Sequence, residues 1–334
     1  MKKIVRILLI FLGVVVLLAA GGIGYLKMAL PNVGPAPELT IKTDSAQVAR
    51  GQYLANHVAV CVDCHSERNW ALPSGPIIPG TEGKGGEAFT REMGFPGSYY
   101  ARNITPAHLS GWSDGEIYRA ITTGVSKDGH PLFPVMPYLN FGQTDPDDIK
   151  AIIAYLRTLK PIENKSIPNP ESDFPMSLII NTIPTKTEGV KRPEPADSVA
   201  YGKYLVTFAS CGECHTPVDD KGQHLAGLEF AGGRGFPMPT GTVRSLNITP
   251  DPETGIGSWT KQAFIDRFKA AIQPNFKHPA TLEHAEFNTI MPWTMYGGMS
   301  EQDLSAIFAY LKTVKPVKNA VVKFTPKGKE VASR

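Results

Sequence analysis

The longest apolar run of the chain lies near its N-terminus, where no charged residue interrupts the positions from Ile7 to Leu26. A helix rises about 1.5 Å per residue, so this run reaches about 30 Å, the thickness of a bilayer's hydrocarbon core. Lys2, Lys3 and Arg6 precede the run, and basic residues beside a span stay in the cytoplasm. The pattern predicts a membrane anchor over residues 1–30, with the rest of the chain outside the cytoplasm.

A cleaved secretory signal is the alternative interpretation of this run. Ala20-Gly21-Gly22 is an acceptable cleavage site, but the apolar part of a signal peptide is shorter, about 7–15 residues. Run length therefore favours the anchor. Residues 31–44 are rich in proline and are interpreted as a short, stiff tether.

Two later segments have the apolar period of a helix with one buried face. The apolar positions agree between them: Ile149, Ile152, Ile153, Leu156 and Leu159 in the first, and Leu304, Ile307, Phe308, Leu311 and Val314 in the second. Asp145 and Ser300 precede these segments as N-caps, and a Lys-Pro pair follows each as a stop signal. Each segment is therefore predicted to be the closing helix of a structural unit.

These helices belong to an internal repeat that covers most of the chain. Five landmarks recur in the same order: Val-Ala-x-Gly-x-Tyr-Leu (48–54 and 199–205), Asn-Ile-Thr-Pro (103–106 and 247–250), a tryptophan (Trp112 and Trp259), Met-Pro-aromatic (136–138 and 291–293) and the end of the closing helix (154–161 and 309–316). The repeat predicts two tandem domains, residues 45–163 and 198–316, joined by a proline-rich linker over 164–197 and followed by a basic tail over 317–334.

Each opening helix contains a glycine, Gly51 in the first domain and Gly202 in the second. Glycine inside a helix normally costs about 1 kcal/mol relative to alanine. A packing reason is therefore expected, and we predict that the first and last helices of each domain cross closely.

All four cysteines lie in two pentapeptides of one form, Cys61-Val-Asp-Cys64-His65 and Cys211-Gly-Glu-Cys214-His215. C-x-x-C-H is the attachment pattern of c-type haem. Each cysteine can form a thioether with a vinyl group of the porphyrin, and the adjacent histidine can bind the iron from the proximal side. The sequence predicts two covalently bound haem c groups.

Three other uses of the cysteines were weighed. Zinc ribbons separate their cysteine pairs by about 15–20 residues, far fewer than in this chain. A thioredoxin-like redox pair requires a βαβ context that neither segment supplies. Structural disulfides suit an exported protein but leave both histidines unexplained.

Met136 and Met291 are the predicted sixth ligands of the two irons, because both precede a proline and an aromatic residue just before a closing helix. A thioether favours reduced iron, so His/Met ligation raises the potential relative to His/His ligation. Other candidates lack a counterpart at the equivalent position of the other domain and are interpreted as surface or packing residues: Met93, His108, His130, Met238, His278, His284, Met295 and Met299.

Asn103, Trp112, Asn247 and Trp259 are candidates for a supporting role. Their N–H groups could bind haem propionates or fix the loop that carries the methionine. Turn formation and burial of the rings are equally good explanations. No catalytic residue is predicted.

The charge of the chain gives no indication of a nucleic-acid partner. The formal net charge of +3, with 19% of residues charged, is too small to indicate nucleic-acid binding. The basic tail is interpreted as a solvated or lipid-facing end.

Taken as a set, these motifs resemble the cytochrome c subunits of bacterial membrane-bound alcohol, aldehyde and gluconate dehydrogenases. The resemblance spans about residues 45–316. It implies an all-α fold of two class I cytochrome c-like domains, and transfer of electrons towards quinone or a terminal oxidase. Those subunits usually carry three haems, whereas this sequence has two attachment motifs.

The sequence therefore predicts a membrane-anchored dihaem c-type cytochrome at the outer, periplasmic face of the cytoplasmic membrane. It would carry single electrons between a dehydrogenase or quinol-side donor and a terminal acceptor, with no substrate chemistry of its own. Two alternatives are a dihaem peroxidase-like enzyme with one open haem site, and a haem-based sensor, which would require an attached signalling domain.

Overall fold

The structure is a computed structural model that describes residues 2–273 and 287–329. It begins with helix α1 (Lys2–Met28), none of whose residues is buried. Among the described residues, α1 alone is long and apolar enough to cross a membrane, a property that a signal sequence near an N-terminus shares. The coarse prediction of an N-terminal apolar helix is confirmed.

The segment after α1 lies against the protein instead of standing free. Val33 is buried, and the N–H of Ile41 donates to Asp114 Oδ2 at 2.9 Å. The carbonyl oxygen of Pro37 occupies the space in which Gly115 would carry a Cβ atom. The predicted tether therefore contacts the helix that contains Asp114 and Gly115.

Residues 45–163, the first half, contain six helices, two short strands and two irregular turns. The helices are α2 (Ser45–Tyr53), α3 (Cys61–Cys64), α4 (Pro106–Leu109), α5 (Asp114–Thr123), α6 (Tyr138–Phe141) and α7 (Pro146–Thr158). A π-helical turn (Leu54–Val58) extends α2. Strands β1 (Ala88–Phe89) and β2 (Gly97–Tyr100) flank a 3₁₀ turn (Arg91–Met93).

The linker and the second half, residues 198–316, follow the same plan. The linker contains β3 (Glu171–Ser172), α8 (Met176–Ile179) and a 3₁₀ turn (Ile180–Thr182). The second half and the residues after it contain α9 (Ser198–Phe208), α10 (Cys211–His215), β4 (Gly235–Met238), β5 (Gly241–Arg244), α11 (Lys261–Lys269), a 3₁₀ turn (Ala270–Ile272), α12 (Trp293–Tyr296), α13 (Glu301–Leu311) and β6 (Phe324–Pro326).

The all-α prediction is wrong, because the described residues form two three-stranded antiparallel sheets, ordered β1-β2-β3 and β4-β5-β6. In the first sheet, Ala88 pairs with Tyr100 and Gly97 with Ser172. Each strand is two to four residues long, too short for the alternation over 4–8 residues that identifies a strand in a sequence.

The third strand of each sheet comes from outside the repeat. β3 belongs to the linker, and β6 belongs to the basic segment after the second half, where Thr325 pairs with Thr242. Pairing between such distant segments leaves no local signal. The basic segment is therefore partly structured, although the sequence suggested a solvated or lipid-facing end.

The predicted close crossing of the first and last helices is confirmed in both halves. A Cβ atom on Gly51 would lie 1.8 Å from the carbonyl oxygen of Ala151, and one on Gly202 would lie 1.9 Å from that of Ala306. A backbone oxygen so close leaves room for the hydrogen atom of glycine but not for the methyl group of alanine. Glycine therefore lets α2 cross α7, and α9 cross α13, at contact distance.

The predicted N-caps of the closing helices are also confirmed. The side chain of Asp145 accepts the N–H of Asp147 at 2.9 Å, and that of Ser300 accepts the N–H of Asp303 at 3.0 Å. The buried faces are those predicted, since Ile149, Ile152, Ile153 and Leu156 of α7 and Leu304, Ile307, Phe308 and Leu311 of α13 lie in the core. The cores of the two halves form one continuous cluster.

The two halves exchange equivalent hydrogen bonds. Tyr53 Oη of the first half donates to Asp303 of the second and accepts the N–H of Ser300 at 2.9 Å. Tyr204 Oη of the second half donates to Asp148 of the first at 2.7 Å and accepts the N–H of the cap residue of α7 at 3.2 Å. The halves thus meet as two like surfaces, the arrangement of a two-fold interface.

Candidate haem-binding sites

Both attachment motifs begin at the same sharp reversal of the backbone. Val60 before α3 has φ 47° and Ser210 before α10 has φ 54°, in the left-handed region that residues other than glycine rarely occupy. Such strain persists where the surroundings require it, often at functional sites. Here it turns the chain from the opening helix into the helical turn that carries the two cysteines.

The proximal histidines are held in the same way. Nδ1 of His65 lies 2.6 Å from the carbonyl oxygen of Arg102, and Nδ1 of His215 lies 2.7 Å from that of Leu246. A carbonyl can only accept, so Nδ1 carries the proton in each ring. The other nitrogen, Nε2, is left as a free lone pair, the form in which histidine binds a metal.

The surroundings of the motifs are apolar. Burial lowers the pKa of His65 and His215, although the carbonyl contact opposes this shift. Burial raises the pKa of Cys61 and of Cys211 to about 12. Neutral imidazoles and neutral thiols in an apolar site suit a porphyrin ring better than they suit a hydrated ion.

One cavity of about 2860 Å³ runs along both motifs and is lined by all four cysteines and both histidines. Pockets for drug-sized ligands measure about 300–1,000 Å³, so this space is larger than a single small ligand requires. None of the four cysteines forms a disulfide. Among the described residues, no cluster of three His, Cys, Asp or Glu side chains is arranged to hold a metal ion. These features fit haem.

Met136 and Met291 line this cavity and sit in identical turns. The proline after each methionine has nearly the same conformation, Pro137 with φ −79° and ψ 54° and Pro292 with φ −78° and ψ 65°. In each turn, the methionine carbonyl accepts the N–H of the aromatic residue after that proline at 2.8 Å. This is an inverse γ-turn, and it gives both methionines the same backbone setting.

Asn103 and Asn247 fix the strand end that supports the histidine. Their side-chain oxygens accept the N–H of Thr105 at 2.8 Å and of Thr249 at 2.9 Å. Each side-chain NH₂ donates at 2.7 Å to a carbonyl just after the closing helix, that of Ile162 or of Val317. The asparagines therefore hold in place the neighbouring residue, whose carbonyl oxygen accepts the hydrogen bond from the histidine.

The remaining predicted residues are distributed between the cavity and the core. Trp112 and Trp259 line the cavity, as do Met93, His108, His130 and Met238. Met295 and Met299 are buried in the core. His278 and His284 lie outside the described residues.

Tyr296 is a residue that sequence reasoning missed. It is buried in α12, and its Oη donates to the carbonyl oxygen of Ala209 at 2.8 Å. Its pKa is raised well above the ordinary value, first by burial and then by nearby Cys211, Cys214, Asp63 and Cys64.

A contact between the sites also lacked a sequence signal. Asn140 of α6, in the first half, donates to Glu213 of the second attachment motif at 3.1 Å. Arg102 and Leu246 could have been found from the sequence, because both directly precede the repeated Asn-Ile-Thr-Pro.

The attachment motif, the oriented histidine and the apolar cavity are the features expected of a c-type haem site. Residues 199–315 match the family model described as cytochrome c. Proteins of that family carry covalently bound haem c, the group that the two attachment motifs fit.

The chain as a whole is similar to cytochrome c subunits of bacterial dehydrogenases, which confirms the predicted resemblance. It is 30% identical over 287 residues to the fructose dehydrogenase cytochrome subunit of Gluconobacter japonicus, covering 80% of this chain and 52% of that protein. It is 29% identical over 300 residues to the cytochrome c subunit of the quinone alcohol dehydrogenase of Gluconacetobacter polyoxogenes, covering 85% and 59%.

A third relative is nearer to the chain in length. The diheme cytochrome c-type protein of Cereibacter sphaeroides is 25% identical over 271 residues, covering 77% of this chain and 82% of that protein. The chain spans little more than half the length of the two dehydrogenase subunits.

Proposed function

We propose that the protein is a membrane-anchored dihaem c-type cytochrome that transfers single electrons. The observation that carries this proposal is the duplication of one site. Each half has the same strained turn before C-x-x-C-H and the same methionine turn. In each half, Nδ1 of the histidine also bonds a backbone carbonyl oxygen. When bound, haem supplies an iron that exchanges one electron between its ferrous and ferric states.

The protein's own residues prepare each site for that exchange. Cys61, Cys64, Cys211 and Cys214 would attach the two groups. His65 and His215, fixed by backbone carbonyls, would present Nε2 to the iron, and Met136 and Met291 would supply sulfur from the opposite face. Rigid ligands minimise rearrangement between oxidation states, which favours rapid transfer.

We place the protein in the cytoplasmic membrane as a single-pass protein, with its haem sites on the periplasmic side. The apolar length of α1 and the basic residues before it support this orientation. Covalent haem attachment outside the cytoplasm agrees with it.

The donor we propose is a membrane-bound dehydrogenase, because the relatives are named as cytochrome subunits of such enzymes. The acceptor would be a terminal oxidase or another redox protein. The even charge balance gives no support to a nucleic-acid partner.

A peroxidase-like enzyme would need one haem with an open distal position. The two methionine turns are alike, which does not favour that alternative. A high-spin, five-coordinate signal from either resting haem in electron paramagnetic resonance would support the peroxidase instead.

Haem attachment can be tested one half at a time. In the Cys214→Ser variant of the exported full-length chain, attachment in the second half should be weakened or lost, because one thioether cannot form. Haem-stained gels should show less staining per polypeptide, down to about half where attachment is lost, and the matched Cys64→Ser variant should show the same decrease. Undiminished staining in either variant would contradict attachment at that motif.

A further inference from the structure

The loop that carries Met291 is held by the first half of the protein. Ser74, buried in the loop after the first attachment motif, donates its hydroxyl to the carbonyl oxygen of Met291. The same oxygen, Ser74 Oγ, accepts the N–H of Trp293 at 3.0 Å. One side chain from the first half therefore bonds both ends of the Met-Pro-Trp turn.

A second residue strengthens the connection. Asn288, three residues before Met291, accepts the N–H of Ser74 at 2.9 Å. Its side-chain NH₂ donates to the carbonyl oxygens of Trp70 at 3.2 Å and of Leu72 at 3.3 Å. Asn288 and Ser74 are both buried, so these bonds are shielded from competition with water.

The Ser74 loop is in turn fixed to the first attachment motif. Arg68 donates to the carbonyl oxygens of Ser74 at 2.7 Å and Gly75 at 2.8 Å. The same guanidinium lies 3.2 Å from the carboxylate of Asp63, between the two cysteines of the first motif, and both side chains are nearly inaccessible to solvent. A continuous set of polar contacts thus leads from the first attachment helix to the methionine turn of the second site.

The arrangement is not reciprocal. Within residues 2–273 and 287–329, the carbonyl of Met136 accepts a hydrogen bond only from Tyr138 of its own turn, and the second half supplies none. Of the two methionine turns, as far as the described residues show, the second is the one whose backbone is hydrogen-bonded by the other half.

We propose that Ser74 is a positioning residue for the second haem: through its two hydrogen bonds, the first half holds Met291 in place as the sixth ligand. This inference rests on the proposed function, in which Met291 binds the second iron. It makes the second site dependent on the first half, whereas the described residues of the second half donate no hydrogen bond to the carbonyl of Met136.

The test uses the full-length holoprotein with Ser74→Ala and Ser74→Gly. Ser74 has φ 67°, so alanine keeps the left-handed strain while glycine relieves it, and both remove the hydroxyl. Imidazole titration of the ferric protein measures how easily the methionine is displaced. Loss of one net hydrogen bond should raise the apparent imidazole affinity of one haem roughly two- to tenfold in both variants.

Two further variants serve as comparisons. In a Met291→Leu background, Ser74→Ala should add nothing, because the ligand it positions is already absent. Ser66→Ala is the control, since it removes an equally buried hydroxyl that bonds only within the first half, to Val62 and Gly83. It should leave the imidazole affinity of the second haem unchanged.

Unchanged imidazole affinity in both Ser74 variants, with a clear effect of Met291→Leu, would overturn the positioning role and leave the proposed function intact. No spectral effect of Met291→Leu would instead remove Met291 as a ligand, and the positioning role with it. If the imidazole affinity rose in Ser74→Ala but not in Ser74→Gly, the effect would come from backbone strain at this position. That result would also overturn the proposal.

Discussion

At the residue scale, the main finding is how the backbone orients each histidine. The carbonyl oxygens of Arg102 and Leu246 accept a hydrogen bond from Nδ1–H of His65 and His215, so neither ring can turn without losing that bond. Because the acceptor is a backbone atom, side-chain substitution at these two positions should leave the histidine contact in place. The buried asparagines beside them hold that backbone.

Replacement of Met291 by histidine tests the sixth ligand directly. Met291→His should keep the haem attached but lower the potential of that centre by a sizeable part of the roughly 0.8 V range that axial ligands span. The reason is that a thioether stabilises ferrous iron more than an imidazole does. Redox titration of the holoprotein would measure the shift, with the buried Met299→Leu as control. An unshifted centre would rule out ligation by Met291.

The candidate site residues that the sequence offers are those that the repeat marks. The cysteines, histidines and methionines recur at equivalent positions, and the structure gives each pair the same local geometry. Ser74 and Asn140 were not predictable, because they bond across the interface between the halves and have no repeated motif. Such contacts depend on how the halves meet, which no local pattern specifies.

At the element scale, the crossing of opening and closing helices organises each half. Gly51 and Gly202 were recognised because glycine inside an amphipathic helix requires a packing reason. The strands were missed for an equally physical reason: they are very short, and each sheet is completed by a segment from outside the repeat.

A methyl group at the crossing should destabilise the fold. Gly202→Ala would place a Cβ atom 1.9 Å from the carbonyl oxygen of Ala306. Separating the helices should cost about 1–3 kcal/mol in the free energy of unfolding. Denaturant titration would measure it.

Gly111→Ala is the matched control for that experiment. The nearest atom to its added Cβ would be Lys127 Nζ at 3.8 Å, so the change should stay within about 0.5 kcal/mol. Equal stability of the two variants would contradict a contact crossing of α9 and α13.

At the scale of the whole molecule, two equivalent tyrosine–aspartate bonds join the halves, but the two aspartates differ in their other partners. Asp148 also accepts from Arg50 of its own half and Arg192 of the linker. Asp303 accepts instead from Tyr201 at 3.1 Å, and within the described parts of the chain it has no ion pair.

This difference predicts unequal effects of removing the tyrosine hydroxyls. Tyr53→Phe and Tyr204→Phe should each lower the free energy of unfolding by about 1.5–3 kcal/mol, the usual effect of losing a hydrogen bond to a charged group. Tyr53→Phe should cost more, because Asp303 has no arginine to compensate its buried charge. Denaturant unfolding of both variants would test the order.

Tyr310→Phe is the control, since its hydroxyl makes no hydrogen bond to any residue that the structure describes. If it destabilised the protein as much as Tyr53→Phe did, the loss could not be assigned to the bonds between the halves.

The most direct test of the account is the intact mass of the exported protein under denaturing conditions, which removes everything held without a covalent bond. The account predicts the polypeptide mass plus two haem groups, and the addition of a single haem in the Cys61→Ser/Cys64→Ser variant. A mass equal to that of the polypeptide alone, or with one haem in the unmodified protein, would contradict it.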